Sequence, residues 1–399
     1  MPTISGTLTF QPDLIRGGDW DYRDPRCALS QRGSPVWTEC ASRGPSLHAE
    51  GRFTLAWDGR LDCRDDLLLR LGEHHLSDDD IVLRAYERWS VAGLEPLVGE
   101  WSLALRDRQR GVIHLARDYM GARPLYYCLD DRAVSWSSDL GELVVRCGRV
   151  DALSDAFAAH FMSAHAAPGL TPYETVHVVP AGACVTISEA GAVTSRRLWT
   201  LTTNEIRYAY PRRYEEELRR LWQDAVKTRL RTRAAVWAEL SGGLDSSSVV
   251  CMADRLIRRG DAPARCLRLI SHATLRSPEG DERRFISDVE RQVGVSTEIV
   301  GVEDSQALTD ASHAWLTPYA VHGVGFETVR RVSAQDGRVI LSGRLGDAVM
   351  GCLPDNSESV FDDLAALRFV NAARNLHAWS RATRKPFIEL AWRLFVPER

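Results

Sequence analysis

Short runs of alternating apolar and polar residues fill the first half of the chain, and turns rich in glycine, aspartate and arginine separate them. Period-two alternation with aromatic enrichment predicts antiparallel strands. The predicted strands are 53–57, 101–105, 112–116, 124–128, 133–136 and 183–187. Helices are predicted between them at 65–71, 77–89 and 153–165. This half is therefore expected to be a layered α+β domain.

The second half alternates longer helical patterns with short apolar runs. Helices are predicted at 214–230, 247–257, 281–293, 361–374 and 384–395, and strands at 236–240, 266–270 and 339–341. Strands that alternate with helices predict a parallel sheet covered on both faces. Because 399 residues are too many for one ordinary core, we predict two domains, 1–205 and 206–399.

Composition excludes several classes of protein. A net charge of −4 gives no reason to expect a nucleic-acid or membrane-surface partner. The nine cysteines are scattered and never spaced as CxxC, which argues against a disulfide framework and a zinc site. No leader and no apolar run long enough for a membrane span is found, so a cytoplasmic location is expected. The chain has only two lysines, Lys227 and Lys385.

One junction joins an apolar strand to a helix through two glycines, several hydroxyls and a carboxylate. It follows Leu240 and reads SGGLDS from Ser241 to Ser246. Ligands of parallel sheets bind beyond the carboxyl ends of the strands, where helices present free N–H groups. The glycines let the backbone approach an anion, and the hydroxyls add donors. The junction therefore predicts a phosphate-binding loop.

The carboxylate of Asp245 adds a metal to this prediction. It would repel phosphate unless a divalent cation lay between them, and Mg²⁺ is often held by a carboxylate and phosphate oxygens. The loop lacks the Gly-Lys-Ser/Thr ending of a Walker loop. The structural alternative is a serine-rich helix start with Asp245 as its cap.

The loop resembles the pyrophosphate-binding loop of the ATP pyrophosphatases, and the chain resembles the asparagine synthetase superfamily within that class. A second junction, in which Val339–Leu341 is followed by Ser342–Asp347, resembles the Ser-Gly-x-x-x-Asp turn of that family. The resemblance implies an α/β parallel-sheet ATP-pyrophosphatase domain of the adenine nucleotide α-hydrolase-like type, with ATP and Mg²⁺ as cofactors. The implied metal ligands are Asp245 and Asp347. The implied ATP- and pyrophosphate-binding residues are Leu240, Ser241, Gly242, Gly243, Asp245, Ser246, Ile270, Ser342, Gly343 and Arg344.

Two segments between these junctions add to the resemblance. Residues 267–270 are similar to the strand whose backbone contacts adenine, and residues 278–282 are similar to the acidic start of the next helix. Simple capping charge is the alternative for Asp281 and Glu282.

The front half resembles a class II glutamine amidotransferase domain, an Ntn-hydrolase-like sandwich. Residues 57–62 and 116–127 carry this resemblance. Glutamine-dependent members need a cysteine directly after the initiator methionine, where its thiol is the nucleophile. Here Pro2 follows Met1, and the first cysteine is Cys27. Glutamine hydrolysis is therefore not expected.

A front domain without its nucleophile resembles β-lactam synthetases and lasso peptide cyclases, and residues 206–208 and 237–253 are most similar to the cyclases. This implies an AMP-forming amide ligase in antibiotic biosynthesis. It would adenylate an Asp or Glu side chain of a precursor peptide and close a macrolactam with the N-terminal amine of that peptide. The implied partners are the precursor peptide, a leader-peptide-binding protein and a leader peptidase.

Two alternatives stay open. One is a small-molecule amide synthetase of the β-lactam or asparagine type. The other is a shortened, non-catalytic homologue that binds nucleotide or peptide, because fewer residues follow Asp347 than in the synthetases of this family. No catalytic residue can be assigned. The remaining candidates are interpreted as solvated helix carboxylates: Glu358, Asp362, Asp363 and Glu389.

Overall fold

A computed structural model describes residues 4–9, 46–130, 133–163, 169–201, 206–232, 234–273, 282–301, 324–347 and 357–395. Within these ranges, ten strands make up the sheets of the front domain: β1 Ser5–Thr9, β2 Ser46–Glu50, β3 Phe53–Leu61, β4 Gly99–Asp107, β5 Val112–Arg117, β6 Tyr126–Leu129, β7 Ala133–Ser137, β8 Val176–Val178, β9 Ala183–Ser188 and β10 Val193–Arg197. Its α-helices are α1 Arg64–Leu71, α2 Asp78–Trp89, α3 Leu140–Arg146 and α4 Asp155–Met162.

These strands form two antiparallel sheets, in the orders β1-β7-β6-β8 and β10-β9-β5-β4-β3-β2. Alternate side chains point to opposite faces of a strand, and both faces of each sheet carry buried apolar side chains. Leu8, Trp136 and Leu115 belong to the core that both sheets share. Helix α2 covers the outer face of the larger sheet and helix α3 covers that of the smaller one. The predicted layered α+β sandwich is confirmed.

The rear domain alternates strands and helices. Its strands are β11 Val236–Glu239, β12 Leu267–Ala273, β13 Thr297–Gly301 and β14 Val339–Leu341. Its helices are α5 Pro211–Arg229, α6 Leu244–Arg259, α7 Arg283–Val293, α8 Val324–Ala334, α9 Ser357–Ala365, α10 Phe369–Thr383 and α11 Phe387–Phe395.

The four rear strands are all parallel, in the order β13-β12-β11-β14. One face packs against helices α5, α6 and α7 through residues such as Val226, Val250 and Ile286. The other face carries Trp237 and Ile270, which pack with Val332 of α8. The predicted parallel sheet with two covered faces is therefore confirmed. It places the carboxyl ends of β11 and β14 side by side.

One predicted helix, 361–374, is wrong. The chain forms two helices there, because Leu367 has a left-handed φ of 56°. The N–H of Arg368 donates to the Asp363 carbonyl at 2.7 Å, which closes the end of α9. The two helices and α11 form a separate apolar cluster around Trp379 and Leu390.

Ion pairs join the two domains at the end of helix α5. The Arg229 Nη1 lies 3.0 and 2.7 Å from the two carboxylate oxygens of Asp62 in the front domain. Its Nη2 lies 3.1 Å from Glu100. The Arg231 guanidinium lies 3.1 Å from Asp78. The segment that leads from α5 into β11 is thus fastened to the front domain.

Three predicted absences, those of a disulfide framework, a membrane span and a zinc site, can be compared with the described part of the chain. The six cysteines within it are free thiols. None of the helices within the described ranges is long and apolar enough to cross a membrane. The same residues contain no group of three or more His, Cys, Asp or Glu side chains placed to hold a metal ion.

Candidate functional site

The SGGLDS loop turns sharply between β11 and helix α6. Gly242 has a φ of 84°, and a Cβ there would lie 2.7 Å from the Cβ of Phe285. Only glycine suits both the dihedral angle and the space. Gly243 then occupies the N-cap position of α6 without any side-chain cap. The first N–H groups of α6 have no intrahelical acceptor, so they are available to an anion.

Two hydroxyls hold this loop together. The Ser241 Oγ and the Ser246 Oγ lie 3.0 Å apart, and the Ser241 N–H donates to the Ser246 Oγ at 3.2 Å. The buried Ser246 Oγ also donates to the Gly243 carbonyl at 3.3 Å. Ser247 is different, because its buried Oγ has no hydrogen-bond partner among the described residues. An unpaired buried hydroxyl in this position suits a ligand oxygen.

The second loop packs directly onto the first. A Cβ on Gly343 would lie 2.6 Å from the backbone nitrogen of Ser246, and a Cβ on Gly346 would lie 2.8 Å from the Cβ of Asp245. Both distances are shorter than real Cβ contacts allow. Asp347 follows Gly346 directly and is exposed, while Asp245 is half-buried. The two carboxylates that the sequence predicts as metal ligands thus come from loops in contact.

Leu240 and Ile270 occupy the sheet itself. The Leu240 N–H donates to the Ile270 carbonyl at 2.9 Å, and both side chains are buried. Their side chains belong to the core, so only their backbone atoms are available to a ligand, and their role in nucleotide binding stays a prediction. Strand β12 continues beyond Ile270 and pairs with β13 as far as Ala273, whereas β11 ends at Glu239. Residues 271–273 thus extend past the end of β11, directly after Ile270.

The carboxylate of Glu239 has a role that the sequence analysis missed. Its Oε2 accepts a hydrogen bond from the Ser342 hydroxyl at 2.8 Å, and its Oε1 lies 3.3 Å from the Arg344 guanidinium. The Arg344 N–H donates to the Ser342 Oγ at 3.2 Å. In this structure Glu239 therefore fixes the second loop against the end of β11. Its only signal in the sequence is its position one residue before Leu240.

His272 lies at the same edge of the sheet. Its Nε2 is 2.6 Å from the Thr328 Oγ1 of helix α8. Burial lowers the pKa of His272, while the nearby Glu239 carboxylate opposes that shift. At neutral pH the imidazole is therefore uncharged.

The arrangement fits a nucleotide with its metal ion. Glycines that leave no room for a Cβ, an uncapped helix start and the unpaired Ser247 hydroxyl are suited to phosphate oxygens. Two carboxylates suit Mg²⁺, which usually takes one or two from the protein and its other ligands from phosphate and water. Asp245 and Asp347 would hold the ion, which would neutralise charge on the phosphates.

The other sequence candidates lie at the start of helix α7, in helices α9 and α11, or outside the described residues. Residues 278–281 are not among the described ranges, and of that segment only Glu282 is, just before α7. Asp363 is not a solvated carboxylate, because it is buried and accepts from Asn375 at 2.7 Å. That interpretation was wrong for Asp363, since its partners compensate its burial.

Two sequence families match the chain in successive blocks. The family described as a glutamine amidotransferase domain matches residues 16–199, and the family described as asparagine synthase matches residues 217–396. The chain belongs to the asparagine synthetase superfamily. The predicted superfamily and the predicted fold class are thus confirmed, while similarity to lasso peptide cyclases stays a prediction.

Curated relatives in this superfamily are distant and mostly longer. Asparagine synthetase [glutamine-hydrolyzing] 3 of Bacillus subtilis is 26% identical over 53% of this chain and 35% of its own length. A putative asparagine synthetase of Mycobacterium tuberculosis is 26% identical over 76% of this chain and 48% of its own. Asparagine synthetase B of Escherichia coli is 23% identical over 94% of this chain and 68% of its own length. The chain spans about a third of the length of the first curated relatives it matches.

One solved structure that matches the chain is a glutamine phosphoribosylpyrophosphate amidotransferase from B. subtilis, complexed with ADP and GMP. Its sequence is 14% identical, the match covers 75% of this chain and 73% of the other chain, and the TM-score is 0.26. At that TM-score the likeness carries no argument.

Proposed function

We propose that this chain is an ATP-dependent, AMP-forming amide ligase. The observation that carries the proposal is the contact between the two loops, in which Gly343 and Gly346 pack against Ser246 and Asp245. This contact brings an uncapped helix start and two carboxylates to one edge of the parallel sheet. Such an edge suits a triphosphate with its metal ion.

In the proposed reaction a substrate carboxylate attacks the α-phosphate of ATP, and pyrophosphate leaves. The backbone donors of the SGGLDS loop hold the departing pyrophosphate and stabilise its charge. An amine then attacks the acyl adenylate, an amide bond forms and AMP leaves. The protein's part is to hold the carboxylate and the amine together, which is a proximity effect.

The finer proposal is that both reacting groups belong to one precursor peptide, so that the product is a macrolactam. The carboxylate is then an Asp or Glu side chain and the amine is the N-terminus of the peptide. The similarity of residues 206–208 and 237–253 to lasso peptide cyclases supports this choice of substrate. A leader-peptide-binding protein and a leader peptidase are the partners that this pathway requires.

The test is exchange of labelled pyrophosphate into ATP. We expect exchange that requires Mg²⁺ and a peptide with an acidic side chain, and that falls about 100-fold or more in Asp245→Asn and Asp347→Asn. Asp261→Asn is the matched control, because Asp261 is an exposed aspartate just beyond helix α6. If neither exchange nor ATP binding is detected in the unchanged chain, the proposal is wrong.

The same assay separates the alternatives. Exchange with free amino acids but with no peptide would favour a small-molecule amide synthetase. ATP or peptide binding without exchange, even with the other pathway proteins added, would favour a non-catalytic homologue.

A further inference from the structure

A groove on the surface of the rear domain begins beside the candidate nucleotide site. It has a volume of about 570 Å³ and lies between helices α5 and α6. From α6 it is lined by Asp245 at one end and by Met252 and Arg255 farther along, and from α5 by Leu218, Arg219 and Trp222. Asp245 therefore belongs both to the SGGLDS loop and to this groove.

The length of the groove follows from the helix. Asp245 and Arg255 are ten residues apart in α6, which at 1.5 Å per residue separates them by about 15 Å. An extended peptide advances about 3.3 Å per residue. The groove is thus long enough for about four or five residues of an extended chain.

The lining combines exposed apolar side chains with arginines. Leu218 is 50% exposed, and Met252 and Trp222 are half-buried. Arginine pairs with carboxylates and packs on aromatic faces, and methionine adapts to irregular apolar side chains. The carboxylates of Glu215 and Asp245 also line the groove, so it has no excess of positive charge that would attract a polyanion such as nucleic acid. The chemistry matches a peptide segment with apolar side chains and an isolated carboxylate.

We propose that this groove binds the substrate peptide in extended form. The apolar side chains of the peptide lie on Leu218, Trp222 and Met252. An isolated carboxylate of the peptide pairs with Arg219 and Arg255, and the peptide runs from there to the site at the Asp245 end. This inference rests on the proposed function, because it assigns the groove to the acceptor of that reaction.

The test compares groove residues with equally exposed neighbours on the same two helices. Leu218→Asn has Leu221→Asn as its control, since Leu221 is 52% exposed and lies outside the groove lining. Arg255→Gln has Arg259→Gln as its control, since both arginines are exposed and about one turn apart in α6.

The probe is a fluorescein-labelled ten-residue peptide with two phenylalanines and one glutamate, followed by fluorescence anisotropy in the absence of ATP. We expect the Kd to rise about tenfold in each groove variant and to stay within about twofold in each control. A version with lysine in place of glutamate is expected to bind about tenfold more weakly. The thermal stability of all four variants should be unchanged, since the replaced side chains are exposed.

Three outcomes would overturn the inference. They are equal Kd values in groove and control variants, equal binding of the lysine peptide, and no binding by the unchanged chain at up to about 1 mM probe. Exchange measured on the same proteins keeps the two proposals apart. If Leu218→Asn and Arg255→Gln show peptide-dependent exchange with an unaltered KM for the peptide, only the proposal that the groove binds the peptide is wrong. If the unchanged chain shows no exchange with any carboxylic acid, the proposal that the chain is a ligase is wrong.

Discussion

Replacing Arg229 with methionine is expected to loosen the junction between the two domains. The Arg229 guanidinium contacts both oxygens of Asp62, at 3.0 and 2.7 Å, and Glu100 at 3.1 Å. The side chains are 30%, 16% and 30% exposed respectively. Methionine keeps the apolar stem of the side chain and removes only the charge and its donors.

The expected cost lies between two limits. Breaking a fully buried ion pair costs about 3–5 kcal/mol, and an exposed pair contributes about 0.2–1 kcal/mol. These side chains are partly buried, and Arg60 stays 3.1 Å from Asp62 after the change. We therefore expect a loss of about 2–3 kcal/mol, which lowers the melting temperature by about 5–10 °C for a domain of this size.

Scanning calorimetry is the suitable assay, because two domains need not melt in one transition. Arg213→Met is the control, since Arg213 lies on the same helix, is 67% exposed and pairs with Glu216 at 3.6 Å. Adding Glu100→Gln to Arg229→Met should restore part of the loss, because Glu100 is then no longer an uncompensated carboxylate, while Asp62 keeps Arg60 as its partner. A melting temperature for Arg229→Met within about 1 °C of that for Arg213→Met would refute this account of the junction.

Three other changes test separate features. Burial lowers the pKa of His114 to about 4. Between that pH and about 6.5, His114 is protonated in the unfolded chain and neutral in the folded one, so the free energy of unfolding should fall by about 2 kcal/mol from pH 7 to pH 5. Urea unfolding at both pH values should show this loss in the unchanged chain and a smaller one in His114→Gln; equal losses would contradict the assignment. Gly346→Ala should reduce pyrophosphate exchange at least about tenfold, since its Cβ overlaps Asp245, and an unchanged exchange rate would contradict the contact. Leu345 has a φ of 64°, so Leu345→Gly should raise the free energy of unfolding, measured with urea, by about 0.5–1 kcal/mol. A lower free energy of unfolding in this variant would show that the contacts of the leucine side chain outweigh the backbone strain.

Local patterns predicted much of the fold. Strand β14 has the predicted bounds, and helix α2 starts as predicted, with the Ser77 Oγ accepting from the Asp80 N–H at 3.3 Å. Strand β10 was missed because all five of its residues are exposed, so it pairs with β9 without an apolar pattern. The break at Leu367 was missed because leucine does not signal a left-handed residue.

In the candidate site, too, local patterns predicted some residues and missed others. The glycines and carboxylates of the two loops stand in short motifs, so the sequence predicts them. Glu239 and Arg344 are 105 residues apart, and Arg229 and Asp62 are 167 apart. In the sequence each is an ordinary charged residue, and only the order of the strands, for the first pair, and the packing of the two domains, for the second, makes them partners. Long-range pairings of this kind leave no local periodicity to detect.

The contact between Gly346 and Asp245 also bears on how the protein folds. The two residues come from β–loop junctions about a hundred positions apart, and contacts between such distant residues form slowly because a long loop must close first. Neither junction alone contains both carboxylates. Acquisition of nucleotide affinity during refolding should therefore coincide with the docking of β14 beside β11, and a bound nucleotide would report that the sheet is complete.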